Sequence, residues 1–193
     1  MELLDIVDIN GEPTGETVER EAAHQYGIRH RTSHVWIFRN HNGQTQVLLQ
    51  KRSREKDSYP GCYDISSAGH IPAGEDFLES AVRELREELG VCAAAEELIY
   101  CGSRRFEYRE KFHGREFWDN QVSNVYALQR NMEAEEFILQ ESEVDSVLWM
   151  DWDRCIDMVK NRKAPHCIWL KELEMVASAL ACGGGPVTQF PKL

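Results

Sequence analysis

The sequence predicts an α/β protein in which a mixed β-sheet is packed between helices. Three observations carry this. Hairpin signals recur at Asn10-Gly11, Asn42-Gly43 and His113-Gly114, each between strand-like runs. One segment, 75–89, has strong helical periodicity. The remaining helical stretches do not alternate with strands in the regular order of an all-parallel sheet.

Taken in chain order, LLDIVDINGEPTGETV reads as two short strands around Asn10-Gly11, with a second turn from Pro13 to Gly15. VEREAAHQYG is a short helix stopped by Gly27. SHVWIFRN and TQVLLQKRS form a hairpin, with strands near 34–39 and 45–51. SYPGCYDISSAGH holds a Pro60-Gly61 turn and a short strand. EELIYCGSRRFEYREKF and REFWDNQVSNVYALQ are two further strands, and SVLWMDW is another. Asp153 can cap a helix over RCIDMVKN, and IWLKELEMVASALA is a last helix. A single domain is expected over 1–182, with GGGPVTQFPKL, 183–193, as a flexible tail.

The 193 residues suit one domain with a sizeable core. A net charge of −11 makes the surface repel nucleic acid and anionic membranes, so no partner of either kind is expected. A polyanionic substrate then needs a local basic patch or bound cations. No apolar run approaches the roughly 20 residues of a membrane span, and the acidic start does not resemble a signal peptide. Six scattered cysteines without a C-x-x-C pair read as reduced thiols of a cytoplasmic protein. A homodimer is compatible with the sequence, which does not decide it.

Within Phe77 to Leu89, Leu78, Ala81, Val82, Leu85 and Leu89 fall on one stripe of about 100° and belong on the core. Gly90 supplies a stop, and Glu75 and Asp76 put acid at the start, where the helix dipole favours it. Glu84, Glu87 and Glu88 crowd a flank, and Arg83 sits i,i+4 from Glu87. Like charges at this spacing repel by about 0.2–0.5 kcal/mol per pair. A solvated face with ion pairs is the ordinary reading of such a flank. Against it, Glu84 and Glu88 have no basic residue between them on that flank, and the small-residue loop SSAGHIPAG precedes the helix. Hard divalent cations want clustered oxygens beside phosphates, and a bound ion turns the repulsion into a site.

The run from Gly69 to Val91, GHIPAGEDFLESAVRELREELGV, fits G-x(5)-E-x(7)-R-E-U-x-E-E-x-G-U at all nine fixed positions. In this it resembles the Nudix family. The resemblance implies an α/β/α sandwich with a mixed β-sheet and a loop–helix–loop site. It implies Glu84, Glu87 and Glu88 as ligands of Mg²⁺ or Mn²⁺, with Gly69 offering its carbonyl. It implies that Arg83 and Glu75 orient the ligands.

A wider stretch, roughly 3–150, is similar to isopentenyl diphosphate isomerase, a branch sharing this fold. NGEPTG, LLQKRS, SYPGCYD, AGH, FEYR and DNQVSNVYAL carry that likeness. The isomerase needs a cysteine and a glutamate for proton transfer. Their places hold Ala68 and Gln121, neither of which can exchange a proton near pH 7. Diphosphate hydrolysis is therefore the expected chemistry. His24, His30 and His70 match three histidines of the isomerase's metal site and are either a second metal site or leftovers, since the carboxylate partners have become Asp119 and Gln121.

Metal ions at the glutamates would neutralise diphosphate oxygens and acidify a bound water. Glu87 or Glu88, and more remotely Glu107, could take its proton. Lys51, Arg52, Arg54 and Lys56 cluster after a strand, and the resemblance makes Arg52 and Lys56 diphosphate contacts. Lys51 joins them as a candidate. Trp36, Phe106, Tyr108, Phe112, Phe117 and Trp118 are core or a stacking face for a base. By family default the substrate is a nucleoside diphosphate or one linked to another moiety. An isomerase using other acids and a non-catalytic ligand sensor stay open as alternatives.

Overall fold

The structure, a computed structural model, describes residues 2–182. The tail expected over 183–193 lies outside the described residues.

β1 (Leu3–Val7) and β2 (Pro13–Glu19) pair antiparallel and form a two-stranded sheet. The turn expected at Pro13 to Gly15 is instead part of β2. Pro13 stands opposite Val7, and the Thr14 hydroxyl donates to the Ile6 carbonyl at 3.0 Å. Proline is tolerated there because it opens the strand. α1 (Arg20–Tyr26) follows and ends at Gly27, whose φ of 65° is left-handed.

The main sheet contains β3 (His30–His41), β4 (Gln44–Arg52), β5 (Tyr63–Asp64), β6 (Ser67–His70), β7 (Ile99–Phe112), β8 (Arg115–Gln129) and β9 (Val144–Asp151). Its path is β5-β4-β3-β8-β7, with β6 paired to β3 and β9 to β4. β3 and β8 run parallel and the other pairs antiparallel, so the sheet is mixed as predicted.

Central strands are buried on both faces, which explains the unbroken apolar run VWIF in β3. Alternation along the strands sorts the core into two layers. Trp36, Phe38, Val47, Leu49, Val125 and Ala127 face α3 (Trp152–Lys160) and α4 (Leu170–Cys182). Val35, Ile37, Leu48, Tyr126 and Leu128 face α2 (Phe77–Leu89) through Ala81, Leu85 and Leu89. The result is helix, sheet, helix.

α3 begins two residues earlier than expected. Asp151 is its N-cap residue and Asp153 lies in the first turn, where its charge suits the dipole without capping. α2 starts where predicted: the Asp76 carboxylate accepts from the Phe77 amide at 2.6 Å. It stops at Gly90, φ 68°, whose amide donates to the Arg86 carbonyl at 3.1 Å. Burying Leu85 and Leu89, each about 1.5–3 kcal/mol, ties α2 to the sheet and so fixes its glutamate flank against β6.

Candidate active site

Gly69 in β6 lies against Glu84. A Cβ at Gly69 would stand 2.2 Å from Glu84 Cδ, so only glycine admits this approach of carboxylate to backbone. Glu88 is 4% exposed, and its Oε2 has no hydrogen-bond partner. Burial, and then the Glu84 charge, push the Glu88 carboxyl up to about 8. Burial likewise raises Glu84, against the pull of Arg83. Glu87 is at the exposed end of the flank.

Arg83 gathers this group. Its Nη1 lies 2.9 Å from Glu84 Oε1 and 3.2 Å from Glu87 Oε2, and its Nε lies 3.5 Å from Glu75 Oε2. Its Nη2 donates to the His70 carbonyl at 3.3 Å. The sequence pattern placed Arg83 beside Glu87, with no basic residue between Glu84 and Glu88. The guanidinium lies between Glu84 and Glu87 and pairs with Glu84 as well.

The basic residues do not form a single patch. Lys51 and Arg52 flank an irregularity in the register of β4 and take different partners. Arg52 pairs with Asp64 at 3.0 Å and donates to the Ser58 carbonyl from Nε and Nη2, which fastens the loop after β4. Lys51 Nζ is 4.0 Å from Asp145. Lys56 pairs with Glu143. Lys56 and Glu143 both act on the Glu88 charge, in opposite directions. Sequence reasoning missed Glu143. It sits 87 residues from Lys56 along the chain, and no local pattern marks it.

His24, His30 and His70 come together from α1, β3 and β6. One ligand atom from each lies within 4.8 Å of the others. The His30 Nδ1 hydrogen is directed at the Ile28 carbonyl, 2.9 Å away, so the Nε2 lone pair faces the cluster. Asp119 Oδ1 is 3.7 Å from His24 Nε2 and 3.6 Å from His30 Nε2. Both His30 Nε2 and Asp119 Oδ1 are buried without a hydrogen-bond partner. Burial, and then the neighbouring His30, take His24 down to about 3. Burial also lowers His30 and His70, so the rings are held neutral, as metal ligation requires.

Trp36 is core, with no exposure. Phe117 stacks on His24 at 4.4 Å, and Phe112 and Tyr108 continue the wall to Tyr59. Phe106 packs on Trp169, which the sequence reading did not single out. Trp118 covers Gly27 and stacks under Arg109 at 3.5 Å.

Orphaned carboxylate oxygens and neutral imidazoles fit divalent cations. Oxygens from Glu84, Glu88 and the Gly69 carbonyl suit a hard ion such as Mg²⁺. The three imidazoles with Asp119 suit a softer transition ion.

A mixed sheet carrying a loop–helix with Glu88 buried and Glu84 half-buried, beside a cluster of three histidines, is found here together with a match to the NUDIX domain, and the chain is a pyrophosphohydrolase acting on acid anhydrides. The NUDIX domain model matches residues 28–170, and the chain belongs to the Nudix family. It is similar to an uncharacterised Nudix hydrolase of Clostridium acetobutylicum, 35% identical over 83% of this chain and 75% of that protein. It is 38% identical to Nudix hydrolase 3 of Arabidopsis thaliana over 79% of this chain, but spans only 19% of that longer protein. A crystal structure from Deinococcus radiodurans shares the fold, with a TM-score of 0.64 at 18% identity, covering 91% of this chain and 98% of that one. Among the described residues no helix is long and apolar enough to cross a membrane.

Proposed function

We propose that the chain is a divalent-metal-dependent hydrolase that cleaves the diphosphate bond of a nucleoside diphosphate or of one linked to another moiety. The observation that carries this is Glu88: a buried carboxyl with an unpartnered oxygen, beside Glu84 and a glycine that only a close approach explains. Glu84, Glu87, Glu88 and the Gly69 carbonyl are proposed to hold Mg²⁺ or Mn²⁺. When bound, such an ion neutralises diphosphate oxygens and acidifies water.

The chain's own residues do the rest. Arg83 holds Glu84 and Glu87 in register, as its contacts to both and to Glu75 support. Glu87, more exposed than Glu88, is the better placed of the two to take a proton from the attacking water. Lys56 can turn from Glu143 to a phosphate oxygen, and Lys51, 4.0 Å from Asp145, is proposed as a further contact. Arg52, fastened by Asp64 and Ser58, is a scaffold for that loop. His24, His30, His70 and Asp119 are proposed as a second metal centre of transition-ion type.

The histidine centre favours a second reading, the isopentenyl-diphosphate-isomerase-like branch. Ala68 and Gln121 weigh against isomerase chemistry, because neither can move a proton. A single domain over 1–182 in the cytoplasm completes the proposal.

A panel of diphosphates with Mg²⁺ or Mn²⁺, read out by phosphate release and run beside Glu87→Gln, tests it. Release by the wild type and its loss in the variant are expected. A flat panel, or conversion of isopentenyl diphosphate to its allylic isomer, would overturn it.

A further inference from the structure

The fully buried Glu172 on α4 is not part of either set of ligands. It accepts from His34 Nδ1 at 2.9 Å and from Trp36 Nε1 at 3.1 Å, and forms an ion pair with Arg104, whose Nη1 is 2.9 Å from Oε1. A carboxylate with two such donors and an ion pair is held rigidly, and so is the His34 ring. With the single Thr32 hydrogen directed at Gln121 Oε1, the Thr32 oxygen, 3.4 Å from His34 Nε2, can only accept there, so the link requires His34 to carry a hydrogen on both ring nitrogens opposite the Glu172 carboxylate. The Thr32 hydroxyl is 2.5 Å from Gln121 Oε1 and 2.7 Å from Ser123 Oγ, and Ser123 also donates to Gln121 Oε1 at 3.2 Å.

Gln121 has only one end that can accept. With Thr32 and Ser123 directed at Oε1, its Nε2 is turned to Asp119 and donates to Oδ2. Asp119 Oδ1 is left facing His24 and His30 without a donor. A glutamate at 121 would set two acceptors against each other here. The amide makes the chain of hydrogen bonds run one way.

We infer that Glu172 is a positioning residue for the histidine centre. Through His34, Thr32 and Gln121 it fixes the orientation in which Asp119 presents its free oxygen to a metal. The inference rests on the proposed second metal centre and deepens it by tying that centre to the last helix. Outer partners that orient a ligating carboxylate typically change metal affinity by about 10–100-fold.

The test is titration with Co²⁺ in saturating Mg²⁺, read by visible absorption and by calorimetry, on the full chain. The wild type is expected to bind Co²⁺ with a band that His24→Gln abolishes. Thr32→Val is expected to weaken binding about tenfold, and Thr32→Ser, which keeps the hydroxyl, to restore it. Glu172→Gln should weaken it to a similar degree. Leu173→Ala, which opens the core beside Glu172 without touching the chain of hydrogen bonds, should lower Tm and leave Co²⁺ affinity unchanged. Wild-type affinity in Thr32→Val, or a loss in Leu173→Ala equal to that in Glu172→Gln, would overturn the inference alone. No His24-dependent band in the wild type would overturn the metal centre and the inference together.

Discussion

Binding of Mg²⁺ at the α2 glutamates should be coupled to the loss of a proton from Glu88. The cause is burial: the carboxyl is held neutral up to about pH 8, and an ion must displace that proton to use its oxygen. At pH 7, one unit below, roughly ten molecules in eleven carry the proton, so binding should release about 0.9 proton from this residue. The same unit costs about 1.4 kcal/mol, or tenfold in affinity. Mg²⁺ affinity should therefore rise about tenfold per pH unit below 8 and level off above it. Calorimetric titration in two buffers of different ionisation heat counts the protons. Release near 0.9 at pH 7, falling to about 0.1 at pH 9, is expected. Affinity independent of pH from 6 to 9, with no proton released, would refute the assignment of Glu88. Glu88→Gln should abolish the coupling.

Glu88 also predicts a trend in stability. Its folded pKa lies above its ordinary 4.5, so the folded state binds the extra proton and stability falls as pH rises from about 4.5 to about 8. Glu88→Gln should flatten that fall in a Tm-against-pH series. Gly69→Ala should cost about 1–3 kcal/mol in urea unfolding by overpacking and should lower Mg²⁺ affinity by displacing Glu84. Arg52→Ala should destabilise by about 3 kcal/mol, because it strands Asp64. Lys56→Ala should instead raise KM for the diphosphate with little change in Tm. Leu85→Ala should cost about 2–5 kcal/mol from its fully buried site.

Local signals in the sequence were read well because their causes are local. Asn42-Gly43 closes the β3–β4 hairpin with both residues at positive φ, as that turn demands. Asp76 and Gly90 bound α2 where a cap and a left-handed stop must stand. The glutamate flank was legible because helical spacing brings Glu84, Glu87 and Glu88 together without any tertiary information. Contacts made only by folding were not legible. Arg52 and Lys56 looked alike as basic loop residues, yet Arg52 is fastened to Asp64 while Lys56 meets Glu143 from a distant segment. The buried cluster of Glu172, His34 and Arg104 joins α4, β3 and β7, and no spacing rule connects them. Pro13 to Gly15 misled because turn residues can also begin a strand beside a bulge.

The most direct test of the central claim is anomalous scattering from crystals soaked in Mn²⁺. The account predicts a peak coordinated by Glu84, Glu87, Glu88 and the Gly69 carbonyl. Full occupancy by manganese elsewhere, with Glu84 and Glu87 still turned to Arg83 and no density beside Glu88, would contradict it.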